Sequence, residues 1–124
     1  MIDTALLDER IADYCAAMDN LRFYREYPGG AETHAPQPVK ANQKWQRIIQ
    51  SQDGKGRSCH TWIDRTNGML TYGGYAAVNK SRTGVPAYRY NLMDDAAYAT
   101  LMIRVLECDG LFWLYADKIT EACI

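Results

Sequence analysis

The sequence predicts an α+β fold: an antiparallel sheet of three or four strands, packed with an N-terminal helix and with a second helix before the last strand. Three observations lead to this prediction. Apolar residues recur at helical spacing near the N-terminus and again over 95–108. Short runs rich in aromatic and β-branched residues fill 44–75, which predicts strands. Turn sequences separate those runs, so we expect a β-meander within one domain spanning 1–124.

The first element is a long helix, predicted over 4–27. Its start can be capped by Asp3 or Thr4, and Pro28-Gly29-Gly30 ends it. The stretch 28–39 holds three prolines and has no periodicity, so we predict a mobile linker there. The helix has one apolar face, made by Leu7, Ile11, Tyr14, Met18, Leu21 and Tyr24.

The meander over 44–75 contains one strong turn signal. Asn67-Gly68 lies between two strand-like runs and predicts a tight hairpin, because both central residues must accept positive φ. Strand alternation puts Trp62 on the face opposite Ile63, and it puts Trp45 on the same face as Arg47. Which face the helices cover stays open, so Trp62 is either a core residue or a surface residue.

The second half of the chain contains three predicted segments. Residues 79–93 form a basic loop to which we assign no regular element. A helix follows over 95–108, capped by Asp94 or Asp95 and stopped by Gly110. The apolar run at 111–116 predicts a closing strand.

Composition indicates an ordinary globular protein, with 48% hydrophobic and 23% charged residues. No run approaches the roughly 18 apolar residues of a membrane span, and the N-terminus is acidic where an export signal is basic. We therefore expect a cytoplasmic protein without membrane contact. The four cysteines form no C-x-x-C pair, which argues against structural zinc and against a disulfide framework. Cys15 is expected in the core.

Charge is distributed unevenly along the chain. Residues 36–92 hold nine basic residues and two acids, whereas the segments on either side each have a net charge of −4. The whole chain has a net charge of −1. Such segregation indicates a surface that attracts an acidic partner.

An enzymatic function has little support in the sequence. Cys59 and His60 are adjacent, but neighbouring side chains on a strand point to opposite faces and cannot form a nucleophile–base pair. Asp94-Asp95 is better explained as a helix cap. The glycine pairs lack the longer frames that bind phosphates. We therefore predict a non-enzyme with no catalytic residue, no metal and no cofactor.

Nucleic-acid binding suits the basic segment better, because single strands are held by cations and by flat side chains on which bases stack. The opposing interpretation is that the aromatic residues are core and that the cations form a solvated surface beside acidic helices. We predict stacking by Trp45, Tyr88 and Tyr90. We predict phosphate contacts by Lys44, Arg47, Lys55, Arg57, Lys80, Arg82 and Arg89.

A protein partner is the alternative prediction. The chain has nine tyrosines and three tryptophans, which are residue types that anchor interfaces. A basic surface also suits an acidic host protein, so the chain could inhibit or modulate a host protein or defence complex. A homodimer is a further possibility, since an open meander leaves a strand edge to be covered.

Four short motifs lie between 44 and 116: Ser-x-His before Trp62, Thr-Asn-Gly at the hairpin, Arg-Tyr-Asn-Leu before the second helix, and a closing Gly-containing strand. In these the chain resembles a group of small phage-encoded proteins of unknown function. The Lys- and Trp-containing stretch of that group is replaced here by GGYAAVNKSRTGVPA, which keeps Lys80 and Arg82. The resemblance implies a phage or phage-like origin and an accessory role, and it supplies no activity. The matching positions are Ser58, His60, Trp62, Asp64, Asn67, Gly68, Arg89, Tyr90, Asn91, Leu92, Gly110 and Tyr115.

Overall fold

The computed structural model describes residues 2–26, 29–52, 55–72 and 88–108, and for 23, 57–60, 88, 107 and 108 it describes the backbone alone. It has the predicted α+β fold. Within these described ranges, five strands form one antiparallel meander whose spatial order follows the chain, one or two more strands than predicted. The elements are α1 (Thr4–Asp19), α2 (Arg22–Arg25), β1 (Glu32–Pro36), β2 (Trp45–Gln52), β3 (Lys55–Asp64), β4 (Met69–Tyr72), β5 (Tyr88–Asn91) and α3 (Asp95–Cys108).

The helix predicted over 4–27 is wrong in its last third, because α1 ends at Asp19. Leu21 has extended backbone and separates α1 from the four-residue α2. Asp19 turns toward β1, where its carboxylate accepts a hydrogen bond of 2.6 Å from the backbone N–H of His34. The break lets Leu21 and Tyr24 stay buried on the sheet after the chain changes direction.

The mobile linker predicted over 28–39 is also wrong, because it contains β1. This strand pairs with β2 from Glu32 opposite Gln52 to Pro36 opposite Ile48. Its alternation consists of buried Glu32 and His34 against exposed neighbours, so a search for apolar periodicity misses it. Proline is tolerated at its end because β1 is an edge strand.

The predicted hairpin between β3 and β4 is present, but its turn spans the four residues 65–68, and of the two central residues predicted to have positive φ only Gly68 does. Gly68 has a φ of +83°, and its N–H donates to the Asp64 carbonyl over 2.8 Å. Only glycine adopts this backbone without strain, which explains the turn sequence. The turn fixes the register of β3 against β4, with Ile63 opposite Leu70.

The basic loop predicted over 79–93 contains β5 in its last part. Residues 79–87 of that loop, residues 73–75 of the predicted meander and the strand predicted over 111–116 lie outside the described residues. The helix predicted over 95–108 is α3. Its first turn is capped by Asp94, whose carboxylate accepts hydrogen bonds from Ala96 and Ala97.

The core lies between the sheet and the helices, and α1 and α3 cover the same face of the sheet. Cys15 is buried in it, as predicted. Arg10 joins the two helices by donating to the Leu92 carbonyl and to Asp95. No helix in the described ranges combines the length and apolar character that a membrane span requires. The core residues are Leu7, Ile11, Tyr14, Cys15, Met18, Leu21, Tyr24, Ile48, Ile63, Leu70, Tyr72, Leu92, Leu101 and Val105.

Candidate binding surface on the outer face of the sheet

The pairing register defines which residues lie opposite the helices. Directly opposed residues of antiparallel strands share a face. Ile63 and Leu70 face the helices and are fully buried. Their neighbours Trp62 and Thr71 therefore lie on the other side of the sheet, which we call the outer face. One row on this face crosses four strands and consists of Arg47, Trp62, Thr71 and Arg89.

A second row runs beside the first, through Trp45, Asp64, Met69 and Asn91. Asp64 is the one acidic residue in the two rows, and it is only 8% exposed. Its carboxylate accepts hydrogen bonds from the backbone and the hydroxyl group of Thr66, at 2.9 and 2.6 Å. This carboxylate therefore stabilises the hairpin turn, and because Arg47 and Arg89 outnumber it, the two rows together keep a positive charge.

Two cations of the outer face lie beside its tryptophans. The Lys44 ammonium is 5.2 Å from the ring centroid of Trp45, and the Arg47 guanidinium is 5.9 Å from that of Trp62. Both distances are within the range of cation–π attraction. Both indoles are partly exposed. The arrangement places flat rings and positive charges side by side on one surface.

The cations on the helix side have different surroundings. Arg10 pairs with Asp95 at 2.5 Å, and Arg65 pairs with Asp8 at 2.9 Å. On the outer face, Lys44 and Arg89 are exposed and form no ion pair with another residue of the described ranges. Within the central segment, Arg65 is therefore neutralised on the helix side, whereas Lys44 and Arg89 keep exposed positive charges.

The structure brings together four of the ten residues predicted to bind: Lys44, Trp45, Arg47 and Arg89. Lys55 is exposed at the far end of the β2–β3 hairpin, opposite Gln52. The backbone of Arg57 lies opposite Gln50, and that of Tyr88 lies opposite Tyr72. Their side chains lie outside the described part of the chain, as do Lys80 and Arg82.

Tyr90 lies on the opposite side of the sheet from these four residues. It pairs with Leu70, packs against the core and accepts a hydrogen bond from Arg104 of α3 through its hydroxyl group. The Arg104 guanidinium is also 5.4 Å from the ring centroid of Tyr90. Tyr90 therefore contributes to helix packing and is not part of the outer face.

Trp62 is the outer-face residue that sequence reasoning left undecided. Its parity relative to Ile63 was known, but the side covered by the helices was not. The structure decides the question because Ile63 and Ile48 are both fully buried on the side that the helices cover. Trp62, one residue from Ile63, therefore lies on the outer face.

A buried polar cluster lies at the other side of the sheet, where β1 meets the helices. His34 Nδ1 is 2.8 Å from the Asp19 carboxylate, and the His34 ring packs edge-on against Tyr24. Burial lowers the pKa of His34, and the hydrogen bond and the charge of Asp19 oppose this shift only in part. The His34 side chain is fully enclosed, so it cannot reach a substrate and is best described as structural.

The described residues contain no group of three or more His, Cys, Asp or Glu side chains that could hold a metal ion. Comparison with known proteins found no match to a protein-family model, a curated protein or a solved structure. Function is therefore inferred from the surface chemistry of the chain itself.

Proposed function

We propose that this chain is a small non-enzymatic accessory protein, of the phage type, that binds nucleic acid through the outer face of its sheet. The observation that supports the proposal is the cross-strand row in which Arg47, Trp62 and Arg89 share one face, with Lys44 and Trp45 beside it. Its place of action would be the host cytoplasm.

The chemistry of this face suits a single strand better than a duplex. Single-strand binding combines cations that contact phosphates with aromatic rings on which bases stack, and each stacked base is worth roughly 1–3 kcal/mol. Trp45 and Trp62 supply rings that are partly exposed. In a duplex the bases are already stacked on one another, so these rings would contribute little.

The test is a binding titration of labelled single-stranded DNA and RNA over a series of salt concentrations. We expect log affinity to fall linearly with log salt concentration, because phosphate contacts release counterions. The double substitution Lys44→Ala/Arg89→Ala should weaken binding and flatten the salt dependence. Arg25→Ala is the control, since it removes an exposed positive charge from α2, on the helix side of the sheet.

No detectable binding to either polymer at about 50 mM salt, where phosphate contacts are strong, would remove this function. An equal loss of affinity in Arg25→Ala and in Arg89→Ala would also contradict it, because binding would then follow total charge rather than the outer face.

A second candidate function is protein binding, as a modulator of a host protein, and α3 carries the observation that favours it. Ile103 and Leu106 are 55% and 63% exposed, and Ala96 and Ala99 continue the same exposed stripe at helical spacing. Exposed apolar stripes of this kind are typical of interfaces.

A second copy of the chain is the simplest partner, and light scattering of wild type and of Leu106→Gln would detect it. A monomer at high concentration would exclude the homodimer.

A further inference from the structure

Among the side chains that the structure describes, the charged and aromatic residues of the outer face occupy one end of it. At the other end, β1 and the adjoining part of β2 contribute Thr33 opposite Ser51 and Ala35 opposite Ile49, with neither charge nor ring. The two tryptophans and two of the cations lie where the start of β2 pairs with the end of β3. The third cation, Arg89, lies on β5 in the same row as Trp62. We call this end the binding patch, and it consists of Lys44, Trp45, Arg47, Trp62 and Arg89.

The binding patch repeats one chemical unit twice. Lys44 lies at the ring of Trp45, and Arg47 lies at the ring of Trp62. A base stacked on either indole would have a cation within reach of its own phosphate. Arg89 adds a third cation in the row of Trp62, beyond Thr71.

The spacing of the two units decides between single strands and duplexes. Trp45 lies opposite Asp64, two residues from Trp62, so the tryptophans are diagonal neighbours on adjacent strands. Such neighbours are about 7–8 Å apart. Stacked nucleotides of one strand in a duplex are about 3.4 Å apart. Two consecutive bases can therefore stack on the two indoles only if they are unstacked from each other.

The positions of the arginines agree with this spacing. Arg47 on β2 and Arg89 on β5 are separated by three strand spacings, which is about 14 Å. That is roughly twice the distance between the indoles, so phosphates two nucleotides apart would reach both arginines.

We propose that the binding patch holds an unstacked single-stranded segment of about three nucleotides, just below the range of about 4–16 nucleotides known for single-strand sites. Two consecutive bases stack on Trp45 and Trp62, and three phosphates contact Lys44, Arg47 and Arg89: the two that link the three nucleotides and the one at the 5′ end of the segment. This inference rests on the proposed function and adds to it the length of the bound segment, its unstacked state, and the base or phosphate that each residue contacts.

The experiment measures affinity for oligothymidylates of one to twelve nucleotides and for a duplex of twelve base pairs. Affinity is expected to rise steeply up to about three nucleotides and then only in proportion to the number of places at which the protein can bind. For the longer strands, the slope of log affinity against log salt concentration is expected to be about −2, from three contacts at about 0.7 each.

Substitutions assign the contacts to residues. Trp62→Leu should lower affinity for the trinucleotide by about 5- to 150-fold and leave the salt slope unchanged, whereas Trp62→Phe, which keeps a ring, should lose much less. Arg89→Ala should reduce the slope by about 0.7, and Arg25→Ala should leave it unchanged. Thermal unfolding of each variant verifies that it is folded.

The outcomes separate this inference from the proposed function. No binding to any strand at low salt removes both. Affinity that still rises steeply beyond about six nucleotides, or that is as high for the duplex as for the single strand, contradicts the three-nucleotide site and leaves the nucleic-acid function in place. A Trp62→Leu variant that is folded and binds like wild type also contradicts it.

Discussion

The two faces of this sheet are built from the same strands and differ in almost every physical property. On the helix side, Ile63 and Leu70 are completely buried. One residue away along the same strands, Trp62 is partly exposed and shares its row with Arg47 and Arg89. The helix side therefore carries the core that stabilises the fold, whereas the outer face carries a partly exposed ring and cations beside the buried side chains of Thr71 and Asp64.

The same comparison applies to charge. Arg65 of the basic centre is paired with Asp8 of α1, so the acidic N-terminal segment neutralises part of that centre within the fold. Lys44 and Arg89 lie on the other side of the sheet and have no such partner in the described ranges. A net charge of −1 is therefore compatible with a positively charged outer face.

The largest expected effect on stability comes from shortening a side chain on the helix side. Ile63→Ala should lower the free energy of unfolding by about 2–5 kcal/mol, because it leaves a cavity in the core. Met69→Ala, on the outer face and only partly buried, is the matched variant and should cost clearly less. Urea unfolding measures both, and equal costs would contradict the division between the two faces.

A smaller effect is expected at the hairpin that keeps each residue on its proper face. A slip of one residue in the β3–β4 register would exchange the two faces of a strand. Gly68→Ala should destabilise the fold by about 1–3 kcal/mol, since its φ is positive and the added Cβ would collide with the side chain of Met93. Gly56→Ala is the comparison variant and should cost less, because the φ of Gly56 is not in the left-handed region and its added Cβ would meet the Ile49 side chain at 3.2 Å, a contact that a small shift relieves. Equal stability of the two variants in thermal unfolding would show that the turn does not fix the register.

The third effect depends on pH and tests the polar end of the helix side. His34 contacts Asp19 and Tyr24, and buried Glu32 lies two residues before it on the same face of β1. Since the folded-state pKa of His34 is lowered, the unfolded chain takes up a proton that the folded chain resists. The free energy of unfolding should therefore be unaffected by His34 above about pH 6.5 and should decrease as the pH falls below that value.

The matched variants for this prediction are His34→Gln and His60→Gln, which replace the two histidines of the chain. Unfolding curves between pH 7.5 and 5 are compared, with His34→Gln expected to lose part of the pH dependence and His60→Gln to keep it. The same pH dependence in wild type and in His34→Gln would assign the effect to other groups, including Glu32.

Residue patterns predicted the fold class and the second helix because those depend on strong local signals. Apolar spacing and a capping aspartate located α3, and Asn67-Gly68 located the hairpin. The break after Asp19 and the strand β1 depend instead on contacts distant in sequence. Asp19 bonds to His34, and the buried side chains of β1 are polar, so neither has a signature in apolar periodicity.

The candidate site could be predicted in part for a related reason. Sequence alternation showed that Trp45 and Arg47 share a face, whereas the shared face of Arg47 and Arg89 follows only from the pairing register of the structure. It could not show that Tyr90 faces α3 rather than the outer face, because that depends on the parity of β5 relative to β4. That parity follows from the register of Leu70 opposite Tyr90, which a loop without a recognised strand does not reveal.

The most direct test of the outer face as the binding surface is an NMR titration of the ¹⁵N-labelled protein with thymidine trinucleotide. We expect the indole N–H signals of Trp45 and Trp62 and the amide signal of Arg89 to shift together as ligand is added, while the amide signals of Leu7 and Ile11 in α1 do not shift. Shifts confined to the helices, with both indole signals unmoved at saturation, would contradict it.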